Sequence, residues 1–278
     1  MKYLLFLLSF ALLFFPPIVL AQEIPNEQQD QLVQAEQAIL QKQRFDTELV
    51  ELNNIYRGQL SEYRLAEKEF TIARDQYHQL QTLASINEVN DAASKVMKLR
   101  NQVLITYLDL LRVNLIAAEG IELSLKELVL NRLEVQKNWL QTHQQAIANA
   151  SDREQLNQLS DAFIAQALNL TDVSQQTVSL LSLGKLQNVF DRLTGIGQDL
   201  LIEEASQSGL AAERAVRETE RLNQSLTDLL QTTWLSLKTD LEEQNTVDFY
   251  NKLSSNLNPI YADLNKLVSF LQERLRQL

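Results

Sequence analysis

Cysteine is missing altogether from the 278 residues, and the chain holds only four prolines, six glycines and two histidines. Without cysteine there are no disulfides, no thiol catalysis, no thiolate metal ligands and no lipid attachment at an N-terminal cysteine. Stability must therefore come from packing. The prolines stand at Pro16, Pro17, Pro25 and Pro259, so nothing from Asn26 to Asn258 breaks a helix by ring geometry. Basic residues are also in deficit, 25 against 36 acidic ones, for a net charge of −11. Nucleic-acid binding and attraction to anionic lipid both need a basic face, so neither is expected.

Long apolar runs are lacking too, except at the start. Lys2 is followed by an apolar stretch from Tyr3 to Phe15, then Pro16-Pro17 and Val19-Leu20-Ala21. This is the plan of a secretory signal peptide, with cleavage expected after Ala21 and a secreted or extracytoplasmic chain beginning at Gln22. The alternative, an uncleaved N-terminal anchor, is opposed by the two adjacent prolines. No later segment is apolar enough to span a bilayer.

What remains is rich in Leu, Gln, Glu, Ala and Lys, the residues that favour helices. The expected fold is all-α: an elongated multi-helix bundle with long coiled-coil-like helices. A first helix is predicted from about Gln28 to Leu83, with Leu49, Tyr56, Tyr63, Phe70 and Tyr77 at one heptad position. Phe45, Leu52, Ala66, Ala73 and Leu80 take the other position, with Gln59 as the lapse. Spacings of three and four kept over five heptads describe a helix packed lengthwise on a partner. Unbroken, it would be about 80 Å long.

Ser85 and Glu88 form a capping-box pattern that opens a second helix, Ile86 to about Ala118. From Val103 onward it is apolar nearly all round, interrupted by Thr106, Asp109, Arg112 and Asn114, which marks it as a central helix. Gly120 is expected to end it in the left-handed conformation. A third helix follows to about Ala148. Ser151 and Glu154 suggest a second capping box before a fourth helix, whose stripe runs through Leu156, Leu159, Phe163, Leu170 and Leu181 to about Leu193. Gly195 and Gly197 are expected to interrupt it. A further helix spans Leu210 to about Gln244, and Thr246 and Asn258-Pro259 read as later helix starts. The organisation expected is thus a leader at 1–21, an N-terminal bundle with a long first helix at 22–194, a hinge between domains or equally a loop within one bundle at 195–209, and a C-terminal helical hairpin at 210–278.

Residues able to carry chemistry are few. His78 and His143 lie on different helices without acidic partners at ligand spacing, although Asp75 shares a face with His78. No Glu-x-x-His motif for a di-iron bundle occurs, nor a calcium loop. Gly195-Ile196-Gly197 lacks the strand that a dinucleotide site requires. The paired acids Glu203-Glu204 and Glu242-Glu243 suit solvated helix faces better than two sides of a cleft. Asn149, Asn169 and Asn223 begin glycosylation triplets that matter only in a host that uses them. No catalytic, metal or cofactor site is expected, and hence no enzyme.

The stripe Tyr56, Tyr63, Phe70 and Tyr77, opposite the small Ala66 and Ala73, is the most distinctive feature. It suits a seam between helices; the sharper alternative is an exposed ladder that binds a peptide, a glycan or a second copy.

The aromatic-spaced first helix, the run LRNQVLITYLDLLRVNLIAA from Leu99 to Ala118 and the following Gly120-Ile121 resemble uncharacterised secreted all-helical proteins of small-genome candidate-phylum bacteria. The resemblance covers Tyr56 to Leu140. It implies an envelope or extracellular setting and brings no activity or site residues. The expected function is a secreted or cell-envelope scaffold acting through helix–helix contacts, with self-association or another envelope protein as partner. The alternative is an extracytoplasmic ligand-binding helical bundle.

Overall fold

Leu, Ala and Gln repeated at spacings of three and four leave the backbone one economical solution, and the computed structural model follows it. It describes residues 26–204, 210–243 and 249–276, and all its regular elements there are helices, with no strand among the described residues. The helices are α1 (Asn26–Leu80), α2 (Leu83–Ala117), α3 (Leu123–Asn149), α4 (Arg153–Glu204), α5 (Leu210–Glu242) and α6 (Phe249–Leu275). The expected leader at 1–21, Gly209 and the expected start at Thr246 lie outside the described residues.

Two units are distinguished, Met1–Arg44 and Phe45–Leu278. In the first, the described residues are helical and Val33, Ile39 and Leu40 are exposed. In the second, every helix contributes to the packing.

From Phe45 onward α1 is covered along one stripe. Phe45, Leu49, Leu52, Tyr56, Gln59, Tyr63 and Phe70 are half-buried, and Ala66 and Ala73 are fully buried. This is the heptad read from the sequence, except that Leu80 is exposed. The covering helix is α2, which runs antiparallel. Tyr56 meets Tyr107, Thr106 Oγ1 donates to Gln59 Oε1 at 2.7 Å, and Lys95 pairs with Glu69 at 2.6 Å. The lapse at Gln59 thus answers the interruption at Thr106. Gln81, at φ 50°, makes the turn between the two helices.

Helix α2 starts three residues earlier than expected. Thr82, not Ser85, is the N-cap: its side chain accepts from the Ser85 N–H at 3.2 Å, and the Thr82 N–H donates back to Ser85 Oγ at 3.0 Å. Ser85 therefore holds the third position of the box rather than the first. The expectation of a central helix holds, since 101–111 includes no exposed residue. Asp109, one of the polar interruptions, receives Lys137 of α3 at 2.7 Å.

Gly120 has φ +73°, as its place after α2 predicts. A Cβ there would lie 2.5 Å from the Gly184 carbonyl oxygen, and one on Gly184 would lie 2.3 Å from Ile121 Cγ1. The turn thus sits directly on α4 through two bare backbones. Lys126 ties it off by donating to the carbonyls of Ile116 and Ala118.

Helix α4 begins with Asp152, whose Oδ1 accepts from the Gln155 N–H at 2.9 Å, while Gln155 Oε1 accepts from the Ser151 N–H at 2.9 Å. Asp152 therefore takes the capping role expected of Ser151, and Gln155 rather than Glu154 reaches back, to the Ser151 N–H. Contrary to expectation, Gly195 and Gly197 do not interrupt α4, which continues to Glu204. One helical glycine costs only about 1 kcal/mol, and Phe190, Gly197 and Leu200 keep one buried stripe going, with Gly197 at contact range of Leu271 and Thr219. At 52 residues, α4 is about 78 Å long.

That length organises the unit. The N-terminal part of α4 packs with α2 and α3, and its C-terminal part with α5 and α6. Both groups meet around its middle, where 172–184 includes no exposed residue. The core is continuous across the two, from Leu108, Val129 and Leu133 through Leu180 and Leu183 to Leu226 and Leu267. Pro259 also departs from expectation, lying inside α6 rather than at its start. It occupies the exposed face, where one lost ladder bond is tolerated.

Candidate functional site

The stripe Tyr56, Tyr63, Phe70 and Tyr77 is half-buried throughout, on the face of α1 that meets α2 and the beginning of α4. Tyr56 and Tyr107 have ring centroids 6.1 Å apart at 39°. The Tyr63 hydroxyl donates to Glu67 Oε1 at 2.6 Å, and burial followed by that bond pushes its pKa up to about 12. Tyr77 accepts from Arg153 Nη1 at 2.9 Å, with the guanidinium 4.9 Å above its ring. The four half-buried rings share the covered side of α1 with the buried Ala66 and Ala73 of the same helix.

A second group escaped the reading of the sequence as a cluster. His143 is buried on α3 and stacks on Trp139 with centroids 4.7 Å apart at 14°. Its Nδ1 lies 2.8 Å from Asn101 Nδ2 on α2, and its Nε2 lies 2.8 Å from the Leu159 carbonyl oxygen on α4. Those partners assign the tautomer: Nδ1 accepts and Nε2 carries the proton. Burial lowers the His143 pKa; the Leu159 bond partly opposes this, and the nearby Arg100 charge adds a smaller lowering.

Arg100 completes the group. Its Cζ lies 3.3 Å from the Phe163 ring centroid, and its buried Nε and Nη2 have no hydrogen-bond partner. The aromatic face supplies the compensation. The sequence signal was present: His143 falls on the same heptad as Leu125, Val129, Leu133, Leu140 and Ile147, all buried. A polar residue at such a position is a core residue with partners, and Asn101, wholly buried amid apolar neighbours on α2, is that partner.

His78, by contrast, is exposed on α1, beside the Tyr77 ring at 5.6 Å. The structure does not bring the two histidines together. Among the described residues no three His, Asp or Glu side chains converge where they could hold a metal ion. No described helix is long and apolar enough to cross a membrane.

Three clefts surround the middle of α4. The first, about 390 Å³, opens between α2 and α4 beside Tyr107 and Leu170. The second, about 530 Å³, is polar; there Arg132 donates to Gln176 Oε1 at 2.9 Å and to the Leu241 carbonyl at the end of α5 at 2.8 Å. The third, about 520 Å³, lies among the α2–α3 turn, α4 and α5, with Leu125, Phe190, Leu230 and Trp234 on its walls. No protein-family model, curated protein or solved structure matches the chain. Any functional reading must therefore rest on these surfaces.

Proposed function

We propose that the chain is a secreted or envelope-associated scaffold that works by helix-to-helix contact, with a second copy or another envelope protein as its partner and no catalysis of its own. The observation that supports this is the outward face of α1. Along Phe45–Leu80, the face turned to α2 is taken up by the aromatic stripe, while the opposite face carries Val50, Leu65 and Ile72 in solvent, the last two 59% exposed each. Spacings of 15 and 7 residues keep these three on one side of the helix. Apolar side chains aligned on a helix already packed by its other side suit a further helix. The export signal read at Lys2–Ala21 supplies the compartment.

The test is light scattering after size-exclusion chromatography of residues 22–278 over a concentration series, with the double variant Leu65→Glu, Ile72→Glu alongside. A scaffold of this kind gives an oligomer, or captures an envelope protein, in the parent and loses it in the variant at unchanged thermal stability. A monomer without partners in both chains defeats the reading.

A further inference from the structure

The apolar cleft between the α2–α3 turn, α4 and α5 is independent of the α1 surface and has its own chemistry. We propose that it is a binding site for an uncharged, flat, ring-bearing small molecule that lies against the Trp234 indole.

Four observations carry this. The volume of about 520 Å³ falls within the range of small-molecule sites. The walls are mainly hydrocarbon, from the core residues Leu125, Phe190 and Leu230 with Trp234 and Leu235, while Thr227 and Gln231 add a smaller polar share. Trp234 is half-buried, and its one polar group is already engaged, Nε1–H donating to Gln187 Oε1 at 3.1 Å. The indole therefore offers a ligand an apolar surface and asks for no acceptor. Finally, the charges at the mouth cancel: Lys238 Nζ stands 3.9 Å from Glu122 Oε1. A charged ligand of either sign would meet one like charge there and would lose water to hydrocarbon walls, which is unfavourable.

The cleft is also preformed. Gly120 and Gly184 seat the turn on α4 backbone to backbone, so the edge nearest Gly120 is held in place without a ligand.

The chain has two tryptophans, so Trp139→Phe leaves Trp234 as the sole reporter. Titrating that protein with phenylnaphthylamine, an uncharged fluorophore that accepts tryptophan energy, should give saturable loss of Trp234 emission together with gain of probe emission. Its sulfonated analogue, anilinonaphthalenesulfonate, should bind at least about tenfold more weakly. Gln231 is exposed at the cleft and outside the core, so Gln231→Phe fills the space without disturbing packing and should weaken phenylnaphthylamine at least about tenfold. The same Gln231 comparison in the protein with both tryptophans guards against failure of Trp139→Phe to fold. No saturable transfer from Trp234, equal affinity in Gln231→Phe, or equal affinity for the sulfonate would each overturn the proposal.

Discussion

The two ends of α4 are closed by different chemistry. Around its first half, α2 and α3 bring polar and aromatic groups inside: Asn101, His143, Trp139, Phe163 and Arg100 interlock across three helices. Around its second half, α5 and α6 bring leucine rungs, with Leu222, Leu226, Leu230, Leu237, Leu253, Leu264, Leu267 and Leu271 all buried. Buried polar side chains there are Thr219, Thr233, Asp240 and Arg274, the last of which is 1% exposed and donates to Thr219 Oγ1 at 3.5 Å. Leucine against leucine gives much burial and little register, because a slid helix finds similar neighbours. A histidine whose two ring nitrogens face named atoms on two other helices allows one alignment. The first half is thus built for specificity and the second for affinity between helices.

The sharpest break of this division is at the joint between the halves. Gly120→Val places a β-branched residue at φ +73° with its Cβ against the Gly184 carbonyl, and should cost about 3 to 5 kcal/mol in chemical denaturation. Next, Leu226→Ala in the leucine half should cost about 2 to 5 kcal/mol while Leu226→Met costs less than about 1.5. Asn101→Ala should cost less than the leucine truncation, about 1 to 3 kcal/mol from the unpaired His143 Nδ1. It should also broaden amide NMR signals in α2 and α3 more than Leu226→Ala does in α5 and α6.

A pH titration separates the halves further. Because the folded His143 pKa is depressed, the unfolded chain takes the proton more readily. The stability it contributes is whole above about pH 6.5 and is lost as pH falls from there through the lower folded value. Melting temperatures of the parent and His143→Gln across that window should therefore converge toward acid, and parallel curves would remove His143 from the account. The smallest effect belongs to Gly58, where a Cβ meets nothing within 4 Å. There Gly58→Ala should stabilise by about 0.5 to 1 kcal/mol through helix propensity alone.

Much of the fold was legible because helical period survives in local sequence. The stripe from Phe45 to Tyr77, the all-round apolar α2 and the left-handed Gly120 all follow from residues close in the chain. The misreadings have different causes, one a contact from afar and two a local arrangement that outweighed the first signal. Gly195 and Gly197 look like a break until α6 arrives at Leu271. Pro259 looks like a start until its position on the exposed face of α6 is seen. Thr82 takes the cap from Ser85 because Ser85 can itself return the bond. The His143 cluster was readable only in part, since pairing residues 42 positions apart requires the α2–α3 alignment that Asn101 and His143 themselves help to set.

Helix α4 belongs to both halves, and this has a consequence for how the chain can be divided. A cut on either side of it leaves one fragment with α4 and one without, so the two pieces cannot both be complete. Fragments 45–204 and 150–278, each carrying its own copy, would compete in a mixture for one set of partners. A gene fusion or truncation made at either end of α4 still orphans a core, so the unit behaves as two bundles in packing and one in inheritance.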